Sequence, residues 1–239
     1  MRIAVTADVH LRGEGENPER YNALENIFQQ LTTDGIEKVI IAGDLFDKDY
    51  RNYSEFDQLC AKYEGLELLI IPGNHDPHIN KNVILGSNIE IFTEPTIVKI
   101  DSLSFLFIPY RSGVNMGDEI AQMEDEIDQE EWILVGHGDF YGGVQAPTPR
   151  EDESGRMYMP LSRTNLQRFG PRTVFLGHIH KPHSPFDNVH YVGSPCGLDI
   201  TETGHRKYLI YDTSTGEVQD DQVETDVLYF NESFQVIPR

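Results

Sequence analysis

The chain carries five short apolar runs that each stop abruptly at Asp, Asn or His. Ile3-Ala4-Val5-Thr6-Ala7 ends in Asp8-Val9-His10, and Val39-Ile40-Ile41-Ala42 ends in Gly43-Asp44. Leu68-Leu69-Ile70-Ile71 leads into Gly73-Asn74-His75-Asp76 one residue later. Trp132-Ile133-Leu134-Val135 runs into Gly136-His137-Gly138-Asp139, and Thr173-Val174-Phe175-Leu176 into Gly177-His178-Ile179-His180. Short apolar runs without polar alternation, bounded by turn residues, are the pattern of strands buried on both faces. Between the first two runs, Tyr21, Leu24, Ile27, Phe28 and Leu31 recur with helical period and predict a helix over 18–33. Pro18 suits its first turn and Gly35 stops it. Strand, covering helix and strand in that order make a βαβ unit, hence parallel strands with a right-handed crossover.

A second helix is predicted over 54–63, with Phe56, Leu59, Cys60 and Tyr63 facing inward. Further along the pattern changes. Residues 96–100 and 104–109 read as a hairpin through Asp101-Ser102. An acidic helix follows over 117–131, with Ile120, Met123 and Ile127 inward and its charges on a solvated face. Short strands are expected at 189–192, 206–212 and 223–230, and a long loop without periodicity at 141–160. The expectation is an α/β protein forming a single domain over 1–239, with no internal repeat.

Composition narrows the field. A hydrophobic content of 38% with 10% aromatics fits a folded globular chain. No run approaches the roughly 18 apolar residues of a membrane span, and the few apolar residues before Asp8 are too short for a secretory signal. Cys60 and Cys196 show neither metal-type spacing nor a disulfide framework, so both are expected as buried hydrophobes in a cytoplasmic protein. The net charge of −21 works against nonspecific nucleic-acid binding by the whole surface. A local anion site remains compatible with it, because charges more than about 8 Å apart are largely screened at physiological salt.

Residues just past the carboxyl ends of parallel strands converge in one crevice. Asp8 and His10 are two apart, as are His178 and His180, so in extended chain each pair points one way. Taken singly, Asp44 is a helix cap and Asn74 a turn former. Taken together, Asp8, His10, Asp44, Asn74, His137, His178 and His180 exceed what one cation accepts. Two divalent ions fit better, with Asp44 as the shared carboxylate. A set of imidazole, carboxylate and amide without thiolate suits Mn, Fe, Zn or Ni. Two ions about 3.5–4 Å apart hold a bridging hydroxide and clamp an in-line phosphoryl displacement. His75, beside a ligand, is placed to stabilise the charged transition state or protonate the leaving oxygen, and Asp76 is expected to orient its ring.

These residues carry a resemblance. Asp8-x-His10, Gly43-Asp44, Gly73-Asn74-His75-Asp76, Gly136-His137 and Gly177-His178-x-His180 resemble the motif set of calcineurin-like metallophosphoesterases. Gly43-Asp44-Leu45-Phe46-Asp47, the run from Leu176 to Pro182 and Tyr191-Val192-Gly193-Ser194-Pro195 are similar to the SbcD-type DNA repair exonucleases, a likeness running from residue 1 to about Asp212. The resemblance implies a four-layer α/β/β/α sandwich of two mixed sheets. It implies Asp8, His10 and His180 on one ion, Asn74, His137 and His178 on the other, Asp44 shared, and His75 as the catalytic histidine. Manganese is the implied metal, DNA the implied substrate, and an SMC-like ATPase the implied partner. A phosphatase or diesterase for nucleotides or other small phosphate esters is the rival enzyme, and a non-catalytic binding protein the rival of another class. The exonuclease branch normally continues into a DNA-capping domain, which is not evident after Asp212. A homodimer is compatible with these readings.

Among basic residues, Tyr110-Arg111 after the hairpin is the expected substrate contact outside the metals. Arg51, Arg150, Arg156, Arg163, Arg168 and Arg172 read as surface arginines that pair with nearby acids.

Overall fold

The computed structural model describes residues 1–13, 15–48, 53–127, 131–142 and 157–232. Along the chain run β1 (Arg2–Thr6), α1 (Pro18–Asp34), β2 (Lys38–Ala42), α2 (Ser54–Lys62), β3 (Glu67–Ile71) and β4 (Ile89–Ile91). Next come β5 (Thr96–Ile100), β6 (Leu103–Ile108), α3 (Met116–Gln122), β7 (Trp132–His137), β8 (Phe140–Tyr141), β9 (Leu161–Ser162) and α4 (Arg163–Phe169). The order closes with β10 (Thr173–Gly177), β11 (His183–Phe186), β12 (Val189–Tyr191), β13 (Arg206–Asp212) and β14 (Val218–Val223).

One sheet runs β14-β13-β1-β2-β3-β4 and the other β11-β12-β10-β7-β6-β5, with β8 and β9 as a small separate pair. Both large sheets are mixed. In the first, β1 to β4 pair in parallel while β13 joins β1 antiparallel. In the second, β6, β7, β10 and β12 are parallel, with antiparallel strands at both edges.

Strand period two sorts the apolar runs into three cores. Ile3, Val5, Ile40, Ala42, Leu69 and Ile71 of the first sheet pack against Phe105, Phe107, Ile133, Val135 and Phe175 of the second. The alternate residues Ala4, Val39, Ile41, Leu68 and Ile70 face Leu24, Ile27, Phe28 and Leu31 of α1 and Phe56, Leu59 and Cys60 of α2. On the far side Leu106, Leu134, Val174 and Leu176 meet Met116 and Ile120 of α3 and Leu166 of α4. The result is the expected α/β/β/α sandwich. Its strands lack polar alternation because both faces of each sheet are covered.

Two elements depart from expectation. The acidic helix ends at Gln122 as a regular element, because the following Glu124-Asp125-Glu126 places like charges at the negative end of the helix dipole. The last strand is Val218–Val223 rather than 223–230. The hairpin that pairs Tyr211 with Val218 and Arg206 with Val223 sets its register, so backbone pairing overrides hydropathy on this polar edge. Arg51, Arg150, Arg156 and most of the 141–160 loop lie outside the described residues. None of the described helices is long and apolar enough to cross a membrane.

Candidate metal centre

β1, β2, β3, β7 and β10 release their carboxyl ends toward one edge of the sandwich, and every expected ligand sits there. The local backbone is irregular. Asp8, His10 and Asp44 adopt left-handed conformations with φ of 53°, 51° and 50°, and His178 has φ 92°. Such angles are uncommon for residues other than glycine, and Asp and His tolerate them best. The Asp8-x-His10 and His178-x-His180 pairs are therefore not extended, contrary to the simple strand picture. Asp8 and His10 are held by N–H bonds to the carbonyls of Gly43 and Asp44, each 3.0 Å long. Leu11 and Phe46 continue this as a parallel bridge. Gly43 and Gly73 let the chains meet. A Cβ on Gly43 would lie 2.1 Å from His137 Nδ1, and one on Gly73 2.1 Å from Asp44 Oδ1.

Donor atoms converge from both sheets. His10 Nε2 lies 3.2 Å from His180 Nε2. Asp44 Oδ2 sits 3.6 Å from His10 Nε2 and 3.4 Å from His137 Nε2, between the two halves of the cluster. Asn74 Oδ1 is 2.9 Å from His137 Nε2 and 3.0 Å from His178 Nδ1. Asp8 belongs to two compact donor groups, one with His10 and His180 and one with Asp44 and His137. His75 falls with His10 and Asp44 in a third. Spacings near 3 Å suit atoms that each stand about 2.0–2.2 Å from a shared cation. The remote ring nitrogens are also occupied. His137 Nδ1 donates to the Ala42 carbonyl at 2.9 Å, and His180 Nδ1 faces Glu202 Oε1 at 2.6 Å. That arrangement aims the inner nitrogens of metal-binding histidines. The residues present fit two divalent cations.

Electrostatics agree with that reading. Burial drives the Asp8 carboxyl up, partly offset by His137. Burial also acts against ionised Asp44, but His137, His10 and His75 outweigh it and hold that carboxyl below the usual range. Burial disfavours a charged His137, yet the Asp44 and Asp8 carboxylates carry it to about 9. His178 is pulled down to about 3 by burial and by the charge on His137, leaving it neutral. Without cations the centre thus stores a proton on His137 to neutralise its acids.

His75 is partly exposed, with its ring 4.5 Å from that of His10 and its backbone N–H donating to Asp44 Oδ1 at 2.8 Å. Its ring partner is Asp47 rather than Asp76, with Nδ1 3.0 Å from Asp47 Oδ1. Asp76 instead accepts the N–H groups of Gly73 and Phe46 at 2.7 and 3.0 Å, pinning the two loops together. Burial and the Asp44 charge push it up to about 7. Asp47 also takes Arg12 Nε at 2.7 Å and Arg20 Nη1 at 3.3 Å. Burial opposes its charge, but His10, His75 and Arg12 hold it well below the ordinary carboxylate range. The signal for Asp47 lay in plain view, three residues past Asp44 in the Gly43–Asp47 run.

Of the expected substrate contacts, Tyr110 borders the site, its ring 6.4 Å from His137 and 6.1 Å from Tyr158. Arg111 does not reach into it. Its guanidinium pairs with Glu94 and, at 3.3 Å, with buried Glu119. Tyr158, whose ring is 4.6 Å from that of His178, and Glu202 border the centre without any pattern in the sequence to announce them.

Comparison with known proteins agrees with this picture. The SbcD component of the SbcCD nuclease of Staphylococcus saprophyticus is 24% identical, the match covering 92% of this chain and 68% of the relative. Its Escherichia coli K12 counterpart is also 24% identical, over 87% of this chain and 64% of its own length. The chain thus spans about two thirds of these relatives. A dimetal phosphatase from Danio rerio superposes with a TM-score of 0.56 at 9% identity, covering 93% of this chain and 98% of that one, which shows the shared fold. Residues 1–182 match the calcineurin-like phosphoesterase family, which takes in all five strand-end motifs, and the chain belongs to that family.

Proposed function

We propose that this chain is a two-cation phosphodiesterase that cleaves DNA. Asp8, His10 and His180 would hold one cation and Asn74, His137 and His178 the other, with Asp44 between them. When bound, the cations supply Lewis acidity that activates water and neutralises phosphoryl charge. The chain's own contribution is positional and protonic. Asp47 fixes the His75 ring through Nδ1 and stabilises its charged form, leaving the opposite nitrogen to donate a proton to the departing oxygen. The backbone N–H of His75 on Asp44 Oδ1 keeps that imidazole in register with the ligands. Tyr110 and Tyr158 form one wall, where flanking groups of the substrate would pack. Manganese is the proposed metal.

One observation carries the reading: a carboxylate-held, partly exposed imidazole stands at the rim of the donor cluster. A purely structural metal site has no use for it. The relatives' naming as part of a nuclease favours DNA, and extends the proposal to a second protein, an SMC-like ATPase that grips it. A second reading is favoured by the net charge of −21 and by the pairing of Arg111 away from the site. In that reading the substrate is a nucleotide or other small phosphate ester. The test is a manganese-reconstituted panel of linear single- and double-stranded DNA, bis-nitrophenyl phosphate, nitrophenyl phosphate and cyclic nucleotides. DNA and diester cleavage is expected. Monoester cleavage with intact DNA would replace the nuclease reading with the second one.

A further inference from the structure

We propose that Glu202 is a positioning residue for the cation held by Asp8, His10 and His180, fixing the tautomer and direction of His180 from outside the ligand set. The inference rests on the two-cation reading of the site. His180 turns Nε2 toward His10 Nε2, 3.2 Å away, so Nε2 is the nitrogen available to a cation. A neutral imidazole can use Nε2 as a ligand only when its proton is on Nδ1. Nδ1 lies 2.6 Å from Glu202 Oε1, and a carboxylate there accepts that proton and nothing else.

The surroundings of Glu202 are built to hold it. Its Oε2 accepts from the buried guanidinium of Arg206, from Ser194 Oγ at 3.2 Å and from the Leu198 N–H at 3.1 Å. Arg206 Nη1 and the Ser194 N–H also donate to the His180 carbonyl, at 3.3 and 3.1 Å, so the same residues grip both the ring's partner and the ring's backbone. Asp199 Oδ1 accepts the N–H and hydroxyl of Thr201 at 2.7 and 2.6 Å, and the Asp199 carbonyl accepts the Glu202 N–H at 3.1 Å, shaping the turn that presents the side chain. Among these ligands, His137 relies on a backbone carbonyl, which no substitution removes. His180 depends instead on a side chain brought from a separate turn.

Glu202→Gln frustrates this arrangement in either amide orientation. With the amide oxygen on Nδ1–H, the NH2 group meets Arg206, which has no acceptor to offer. With NH2 toward the ring, Nδ1 must accept and the proton moves to Nε2, blocking the ligand nitrogen. Glu202→Asp keeps the acceptor chemistry on a shorter arm.

The experiment is calorimetric titration of the metal-free protein with Mn2+, together with long-range 1H–15N spectra of the histidine rings in zinc-loaded wild type. Wild type should bind two equivalents. Glu202→Gln should lose about 10–100-fold affinity at one site and keep the other, the range seen when an orienting partner of a metal ligand is removed. Glu202→Asp should recover part of that loss. In wild type the His180 proton should be found on Nδ1, a measurement that needs no variant to fold. Two equivalents bound with unchanged affinity in Glu202→Gln, or a His180 proton on Nε2, would overturn the role of Glu202 alone. Fewer than two equivalents in wild type would overturn the two-cation centre and this inference with it.

Discussion

Replacing Asp47 by Asn keeps the shape of the side chain and removes its charge, isolating what the carboxylate does for His75. Asp47 Oδ1 is 3.0 Å from His75 Nδ1, while Oδ2 serves Arg12 and Arg20. A hydrogen bond to a charged group is worth about 1.5–3 kcal/mol, against about 0.5–1.5 for a neutral pair. The charge-specific part, about 1–2 kcal/mol, applies when the imidazole carries its proton toward the leaving group. At tenfold per 1.36 kcal/mol, Asp47→Asn should lower kcat on bis-nitrophenyl phosphate about 5–30-fold. Asp47→Ala removes the whole bond and should cost about 10–150-fold. Both act through the ring, so Asp47→Asn combined with His75→Ala should be no slower than His75→Ala alone. Because Arg20 is buried and loses a partner, the melting temperature is measured alongside and rates are compared well below it. Wild-type kcat in Asp47→Asn, or a double variant slowed by the product of the two single effects, would refute the coupling.

Three further outcomes are expected. Gly73→Ala places a Cβ 2.1 Å from Asp44 Oδ1 and 2.3 Å from Asp44 N, so the shared carboxylate must shift; turnover should fall by about two orders of magnitude, as for small misplacements of reacting groups, and a variant with native turnover would show that the loops can part. His137 sits at about 9 without metal, so below that pH cation uptake must expel its proton, and affinity should rise with pH up to about 9 and flatten above. The same raised value stabilises the metal-free fold fully below about 6.5, and that contribution fades as pH climbs through 9. Calorimetry in buffers of different ionisation heat should therefore show at least one proton released at pH 7, and a count of zero would contradict it. Arg111→Ala leaves buried Glu119 without that partner, so the melting temperature should drop, reflecting about 1–2 kcal/mol after discounting for the exposure of Arg111, while KM stays within about twofold. A tenfold rise in KM would restore Arg111 as a substrate contact.

Much of the fold was legible because it rests on local rules. The βαβ opening follows from Pro18, Gly35 and the helical spacing of Leu24, Ile27 and Leu31 between two apolar runs. The Thr96–Ile100 and Leu103–Ile108 hairpin follows from its turn. The strand after Asp212 was misplaced because its position comes from pairing with β13, and its own residues Gln219-Asp220-Asp221-Gln222 carry no apolar signal.

The site divides in the same way. Seven donors of the right type at strand ends are a property of the chain, since ligand chemistry is written in residue identity and parallel strands deliver their ends to one edge. Which partner each imidazole takes was decided only in three dimensions. Asp47 rather than Asp76 holds His75 because the Asp8–Leu11 and Gly43–Asp47 segments bond side by side and carry Asp47 across. Glu202 reaches His180 from a turn 22 residues downstream, and Arg111 turns to Glu94 and Glu119 instead of the substrate. Hydrogen bonds and ion pairs depend on ångström-scale placement between segments remote in the chain, and no local pattern of apolar and polar residues encodes that distance.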